Sequence, residues 1–219
     1  VLARRIALQG EPRVASEGTV LGEQLENRPL LRVGELLEVV PGLIVTQHSG
    51  DGKANQYFLR GFNLDHGTDF ATSVDGIPVN MPTHAHGQGY ADINFLIPEL
   101  VDEVRYRKGT YFADEGNFSA AGAADIVYRH AVDAPSVSLT YGEDDYQRVL
   151  LAASPGVGDG TLLLGLDYSH ADGPWEMPQD FRKVNGLAKY SHGDAAGGLA
   201  VTAMGYDGRW DSTDQIPLR

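Results

Sequence analysis

"TLLLGLDYSH" (residues 161–170) puts Leu162, Leu164, Leu166 and Tyr168 on one side of an extended chain and Thr161, Gly165, Asp167 and Ser169 on the other. A period of two marks a strand with one apolar and one polar face. Three neighbouring segments repeat it. "SVSLTYG" sets Val137, Leu139 and Tyr141 against Ser136, Ser138 and Thr140, and "YQRVLLAAS" sets Val149, Leu151 and Ala153 against Arg148 and Leu150. "KVNGLAKYS" sets Val184, Ala188 and Tyr190 against Lys183, Asn185, Lys189 and Ser191. "GLAVTAMGYDGRW" (198–210) is strand-like with less distinct faces. No helical pattern interrupts the series, so it predicts an antiparallel up-and-down sheet.

The connections carry further information. Those at 143–145, 155–160 and 192–197 are short, and the one at 171–182 is long and holds Pro174, Trp175 and Pro178. Apolar-out strands with tyrosines near their ends, short turns on one side and a longer loop on the other describe a membrane β-barrel. A soluble sandwich or lipocalin-like barrel alternates in the same way. Five strands cannot close a barrel, and an open edge cannot face lipid. Either the sheet is soluble, or most of a barrel lies outside these residues. Trp175 and Trp210 fit an aromatic belt or loop packing, with Trp175 the better placed for an exposed outer loop.

The bulk composition narrows the function. The 219 residues carry a formal charge of −13, with 11 basic and 17 acidic residues before His130 and 6 and 13 from there on. Acidity spread over both halves repels phosphate and argues against nucleic acid as a partner. The absence of cysteine excludes disulfides and thiolate metal sites. No apolar run approaches the roughly 20 residues of a membrane helix. The chain shows no signal peptide and does not start with Met, as expected of a processed or cut-out segment.

The first half mixes signals. "RVGELLEVVPG" (32–42) spaces Val33, Leu36, Leu37 and Val40 as a short amphipathic helix that Pro41 and Gly42 end. "LIVTQ" and "QYFLRGF" (56–62) read as strands. "TSVDGIPVN" (72–80) carries Asp75-Gly76 between apolar flanks, a hairpin signal. "IPELVDEV" (97–104) reads as a second short helix with Pro98 at its first position, "EVRYRKG" continues as a strand, and "GAADIVYR" (122–129) is another. An α+β domain with long Gly-rich loops results.

One loop, "NMPTHAHGQGYAD" (80–92), holds two of the seven histidines. His84 and His86 can ligate a metal with His66 or Asp65 as third partner, although His-x-His in a Gly-rich loop matches none of the usual zinc signatures. A metal-dependent enzyme using His66, His84 and His86 is one reading of the chain. No nucleophile elbow or paired motif frames the Ser, His and Asp residues, so no catalytic residue is assigned and enzyme activity is not expected.

"ELLEVVPGLIVTQ", "FLRGFN", "VDGIPVN", "IPELVDEVRYRKG" and "GAADIVY" follow in an order and at spacings that resemble the plug domain of TonB-dependent outer-membrane receptors. In that family a 22-stranded barrel follows the plug. The resemblance implies an N-terminal segment over 1–29, a plug over 30–130, a linker over 131–135 and the first five or so barrel strands over 136–219. The expected fold is thus an α+β plug followed by antiparallel transmembrane strands of an incomplete barrel. Where the family commonly has Arg-Gly-Pro, this chain has Lys108-Gly109-Thr110. No stretch is identified as the TonB-contacting segment.

The resemblance also implies roles. Arg60 and Lys108 fall where the plug presents basic residues to acidic ones on the barrel wall. Loops 47–56, 63–70 and 81–91 reach toward the outside, which makes His48, Lys53, Asn55, Asp65, His66, Asp69, His84, His86, Gln88 and Tyr90 ligand-binding candidates. The implied function is TonB-dependent uptake of an iron-siderophore-like chelate, a cobalamin or a glycan across the bacterial outer membrane. TonB with its inner-membrane energising complex, the ligand and outer-membrane lipid are the implied partners, with no bound cofactor and a plug reached from the periplasm. The rival from another class is a soluble β-rich ligand-binding or adhesion protein.

Overall fold

The computed structural model describes residues 11–28, 30, 32–47, 50–194 and 197–212. The chain divides into two compact units. The first runs to residue 48 and includes Ala54–Asn94 and Val101–Tyr128; the second comprises Ser49–Lys53, Phe95–Leu100 and everything from Arg129.

In the first unit the strands are β1 (Glu11–Val14), β2 (Glu17–Leu21), β3 (Leu43–Thr46), β4 (Gln56–Leu59), β5 (Phe62–Leu64), β6 (Phe70–Val74), β7 (Ile77–Pro78), β8 (Val101–Lys108) and β9 (Gly122–Tyr128). Six of them form a sheet in the order β1-β2-β8-β9-β6-β7, antiparallel except for the parallel β6–β9 pair. The strands β3-β4-β5 form a separate antiparallel sheet. One turn of helix, α1 (Gly22–Leu25), follows β2. Residues ahead of position 30 therefore supply two strands of the six-stranded sheet.

The expected helix at 32–42 is a 3-10 helix over Val33–Val39. Its apolar side is the predicted one, with Val33, Leu36, Leu37 and Val40 all buried. In a seven-residue segment that spacing suits a 3-10 helix as well as an α-helix. The expected helix at 97–104 shrinks to a 3-10 turn, Pro98–Leu100, and Val101 to Val104 join β8. The single strand expected over 56–62 is two strands, because Arg60 (φ 52°) and Gly61 (φ 84°) form a two-residue hairpin turn. Asp75 (φ 48°) and Gly76 (φ 75°) make the expected hairpin between β6 and β7.

The second unit contains β10 (Ser136–Tyr141), β11 (Gln147–Ala153), β12 (Gly156–Val157), β13 (Gly160–Ala171), β14 (Phe181–Asp194) and β15 (Gly197–Arg209). The five long strands pair in chain order as an antiparallel meander, and the two-residue β12 pairs with β13. The faces are largely sorted in reverse, although Leu150, Leu163 and Leu187 are buried too. Asp167 and Asn185 are 0% exposed, and Ser169, Lys183 and Lys189 are buried, whereas Leu164, Leu166, Tyr168 and Val184 are exposed. A soluble sheet hides its apolar side, so this polarity is that of a strand with its outer face toward hydrocarbon. The polar face is stitched within the unit. Asn185 donates to the carbonyl of Leu96 at 3.1 Å, and Lys183 Nζ lies 3.4 Å from Asp167. Trp210 packs over Gly52, where a side chain would collide with its ring, and Trp175 is exposed. No helix among the described residues is long and apolar enough to cross a membrane.

Candidate functional site

Asn80 builds the site. Its side chain is buried at the end of the β6–β7 hairpin. Its Nδ2 donates to the carbonyls of Gly67 (3.1 Å), Phe70 (3.1 Å) and Gly89 (2.9 Å), and its Oδ1 accepts from the Thr72 N–H at 2.7 Å. One amide thus ties the loop before β6 to the loop after β7. The second loop closes on itself where Met81 N–H donates to the Tyr90 carbonyl and Gly89 N–H to the Met81 carbonyl, both at 2.8 Å. Ala91 N–H donates to the His66 carbonyl at 2.8 Å, and the Thr68 hydroxyl to the Gln88 carbonyl. Nothing in the residue pattern announced Asn80, beyond its place at the end of the hairpin motif.

This stitching brings four histidine and tyrosine rings together. His66 follows β5 in a left-handed turn (φ 51°, ψ 37°) and is 2% exposed. Its Nδ1 lies 2.6 Å from the Ala54 carbonyl, which fixes Nδ1 as the N–H donor and puts the ring lone pair on Nε2 when the imidazole is neutral. Its backbone N–H donates to Gln56 Oε1 at 3.3 Å, and Gln56 Nε2 in turn donates to Asn63. The His86 ring meets His66 edge-on, with centroids 4.4 Å apart at 76°. His84 stacks on Tyr90 at 4.0 Å and 13°, and its Nδ1 accepts the His86 N–H at 3.2 Å. The Tyr90 hydroxyl accepts the Ala54 N–H at 3.2 Å. Burial pushes the Tyr90 phenol up; the Ala54 bond opposes this and Asp92 adds to it.

Asp65 completes the group. One oxygen lies 3.7 Å from His66 Nε2 and the other 3.7 Å from His86 Nε2. The sequence assigns no metal site; its minor metal reading centres on His84 and His86 with His66 or Asp65 as third partner. The structure gathers Asp65, His66 and His86, with candidate ligand atoms all within 4.8 Å of one another, and turns His84 to Tyr90 instead.

The other candidates fall elsewhere. Asn55 is buried against Gly34, where any side chain would collide with its amide, so it packs the interior. Asp69 occupies a left-handed turn (φ 59°) and accepts the Ala121 N–H at 2.9 Å through its carbonyl. Gln88 is exposed at the loop rim. Lys53 belongs to the second unit, and His48 lies outside the described residues. Arg60 and Lys108 lie near each other. Burial lowers the Lys108 pKa, and the charge of Arg60 lowers it further. Lys108 Nζ contacts the Pro41 carbonyl at 3.4 Å and lies 5.8 Å from the centre of the Tyr106 ring. Among the described residues, no carboxylate lies within 4 Å of either cation.

Comparison with known proteins gives a consistent result. A family model described as the TonB-dependent receptor plug domain matches residues 13–123. The copper transporter OprC superposes with a TM-score of 0.68 at 19% identity, over 92% of this chain and 32% of that one. Pseudomonas aeruginosa FpvA bound to heterologous pyoverdines gives 0.66 at 20% identity, over 88% and 25%. The siderophore receptor PirA from Acinetobacter baumannii gives 0.59 at 15%, over 88% and 32%. The chain spans a third or less of the length of these structures, and at such identities the likeness is one of fold.

Proposed function

Because the chain belongs to the TonB-dependent receptors through its plug domain, matched over half its length, we propose that it serves the energy-coupled uptake of a scarce ligand across the bacterial outer membrane, with the plug gating a barrel. The observation that carries this reading is the reversed burial of the second unit. Asp167 and Asn185 are fully enclosed while Leu164 and Leu166 are exposed. A soluble binding or adhesion protein would leave this apolar face without a cover. Members of the family are transporters, and reversible binding on the loops of a rigid plug suits that work better than covalent chemistry.

In this reading the ligand meets Tyr90, His84, His86 and Asp65 on the loop face of the plug. A siderophore-like chelate, a cobalamin or a glycan offers groups that imidazole and phenol can hydrogen-bond. The solved relatives, described as a copper transporter and siderophore receptors, favour a metal-linked ligand over a glycan. Arg60 and Lys108 hold the plug against carboxylates of the barrel wall. The support is that Lys108 is only 9% exposed, a position where an ammonium is costly without a countercharge. TonB, energised from the inner membrane, would displace part of the plug.

The test uses the full-length receptor in cells that do or do not carry TonB. Ferric siderophore, cobalamin and oligosaccharide are each supplied at low concentration. One of them accumulates in a receptor-dependent manner only where TonB is present. Equal accumulation in both strains, or recovery of the receptor in the soluble fraction, overturns the reading.

A further inference from the structure

We propose that Asp65, His66 and His86 form a binding site for a divalent late transition-metal ion, of the zinc or copper class. That the ion is cargo on its way through the barrel rests on the uptake reading above; the binding itself does not.

The geometry of the carboxylate carries the inference. An aspartate serving one histidine as hydrogen-bond acceptor lies at about 2.8 Å from it. Asp65 lies 3.7 Å from His66 Nε2 through one oxygen and 3.7 Å from His86 Nε2 through the other. Both separations are too long for a hydrogen bond, and they are equal. Four-coordinate zinc, with bonds of about 2.0–2.2 Å, separates its ligand atoms by roughly 3.3 Å. Taken one ligand atom per residue, the three groups lie within 4.8 Å of one another, so side-chain adjustments of up to about 1.5 Å bring them onto that spacing.

The histidines are prepared unequally, as a site that loads from outside requires. His66 is buried, and its Nδ1–H is committed to the Ala54 carbonyl. A ligating histidine is commonly oriented by such a bond, which sets the tautomer and aims Nε2 at the ion. The Gln56 amide and the left-handed backbone fix the same residue from the other side. His86 and Asp65 have side chains half exposed, at 50% and 56%, so the site opens outward. Its remaining coordination positions face solvent or a carrier of the ion. Two imidazoles and one carboxylate suit zinc, copper(II) or nickel rather than calcium or magnesium, which take oxygen ligands. The His84 ring on Tyr90 backs the loop that presents His86.

Full-length receptor in detergent is titrated with zinc chloride or copper(II) chloride against a chelator of known affinity. Beside it run His86→Ala, Asp65→Asn and, as a control for stray histidine binding, His192→Ala. One ion binds per chain, and His86→Ala and Asp65→Asn each weaken it by roughly 10–100-fold or more. His192→Ala binds like the parent. Absence of binding in the parent, or parental affinity in both His86→Ala and Asp65→Asn, overturns the proposal. Accumulation of the same ion in cells with and without TonB is read separately. Equal accumulation there overturns the uptake reading and leaves the metal site standing.

Discussion

Arg148 grips Glu99 with both terminal nitrogens, at 2.5 and 2.9 Å, while its Nε donates to Asp167 at 2.7 Å. All three residues lie in the second unit, and Glu99 comes from the short stretch Phe95–Leu100, inside the region matched by the plug family. The sequence drew attention to two plug cations, Arg60 and Lys108. The second unit carries an ion pair of its own, in which strand Arg148 holds Glu99. Asp167 is fully buried and leans on Lys183 as well. Whatever the net worth of such a buried pair, removing one partner costs far more than breaking a surface pair, because the other charge is left enclosed.

The two ends of that pair are therefore unequal. Arg148→Met strands the enclosed Asp167 with Lys183 alone and costs about 3–5 kcal/mol, the usual penalty for an uncompensated buried charge. Glu99 has a side chain 43% exposed, so Glu99→Gln costs about 1 kcal/mol or less. Thermal melts of the full receptor check the order. Equal losses would show that Asp167 does not depend on Arg148.

Asn80 makes four hydrogen bonds from a buried position. Asn80→Ala leaves the Thr72 N–H and three carbonyls without it, at about 1–3 kcal/mol. The loss is local to the two loops that Asn80 joins. Limited proteolysis of the full receptor then cuts within 81–90 faster than in the parent, while cutting in the β13–β14 loop is unchanged. Parental cleavage rates at 81–90 would show that the backbone bonds at Met81 and Tyr90 hold the loop unaided.

Much of this architecture is readable in the chain, for physical reasons. The strands of the second unit alternate with period two over 6 to 14 residues, long enough to be unambiguous. Asp75-Gly76 announces its turn because few other pairs accept two positive φ values. Arg60-Gly61 makes the same kind of turn, but arginine gives no such warning, so two strands read as one. The strands β1 and β2 went unread because four and five residues carry little pattern, and β2 is defined by its pairing with β8 far along the chain. At the site, His84 and His86 stand out by proximity in sequence. Their division of labour depends on where His66 and Tyr90 arrive, which spacing does not encode. Asn55 looked like a loop amide and is interior packing over Gly34.

Tyr57 gives a pH prediction. It is 1% exposed, and among the described residues its hydroxyl has no hydrogen-bond partner. Burial pushes its phenol far above the ordinary value of 10.0, and the charges of Asp92 and Tyr90 add to this. A raised folded pKa means that the folded state keeps a proton the unfolded state gives up. Its stabilising share is thus complete below pH 10 and is lost as pH rises beyond it, at about 1.4 kcal/mol per pH unit. Tyr57→Phe makes the alkaline limb of the stability profile shallower. At neutral pH it leaves stability unchanged or raises it by about 1 kcal/mol, because it deletes a buried polar group without an acceptor or donor. A parental alkaline limb in Tyr57→Phe would assign that limb to other groups, such as Tyr90 and Tyr106.

Leu166 separates the membrane reading from the soluble one. It is 45% exposed and sits in register between Leu151 and Gly186, on the apolar face of the meander. On a soluble sheet, an exposed leucine replaced by arginine changes stability by about 0.5 kcal/mol at most. At the middle of a bilayer the same change costs about 2–4 kcal/mol, because the guanidinium must leave water for hydrocarbon. Leu166→Arg in the full receptor is therefore expected to lower the yield of folded protein in the outer-membrane fraction. Thr161→Arg, on the polar face at the end of the same strand, costs little because a side chain on that face does not enter hydrocarbon. Gel mobility of unheated and heated samples measures the folded fraction of each. If Leu166→Arg folds as well as Thr161→Arg, the exposed leucine face does not meet lipid, and the reversed burial of Asp167 and Asn185 needs a different cover.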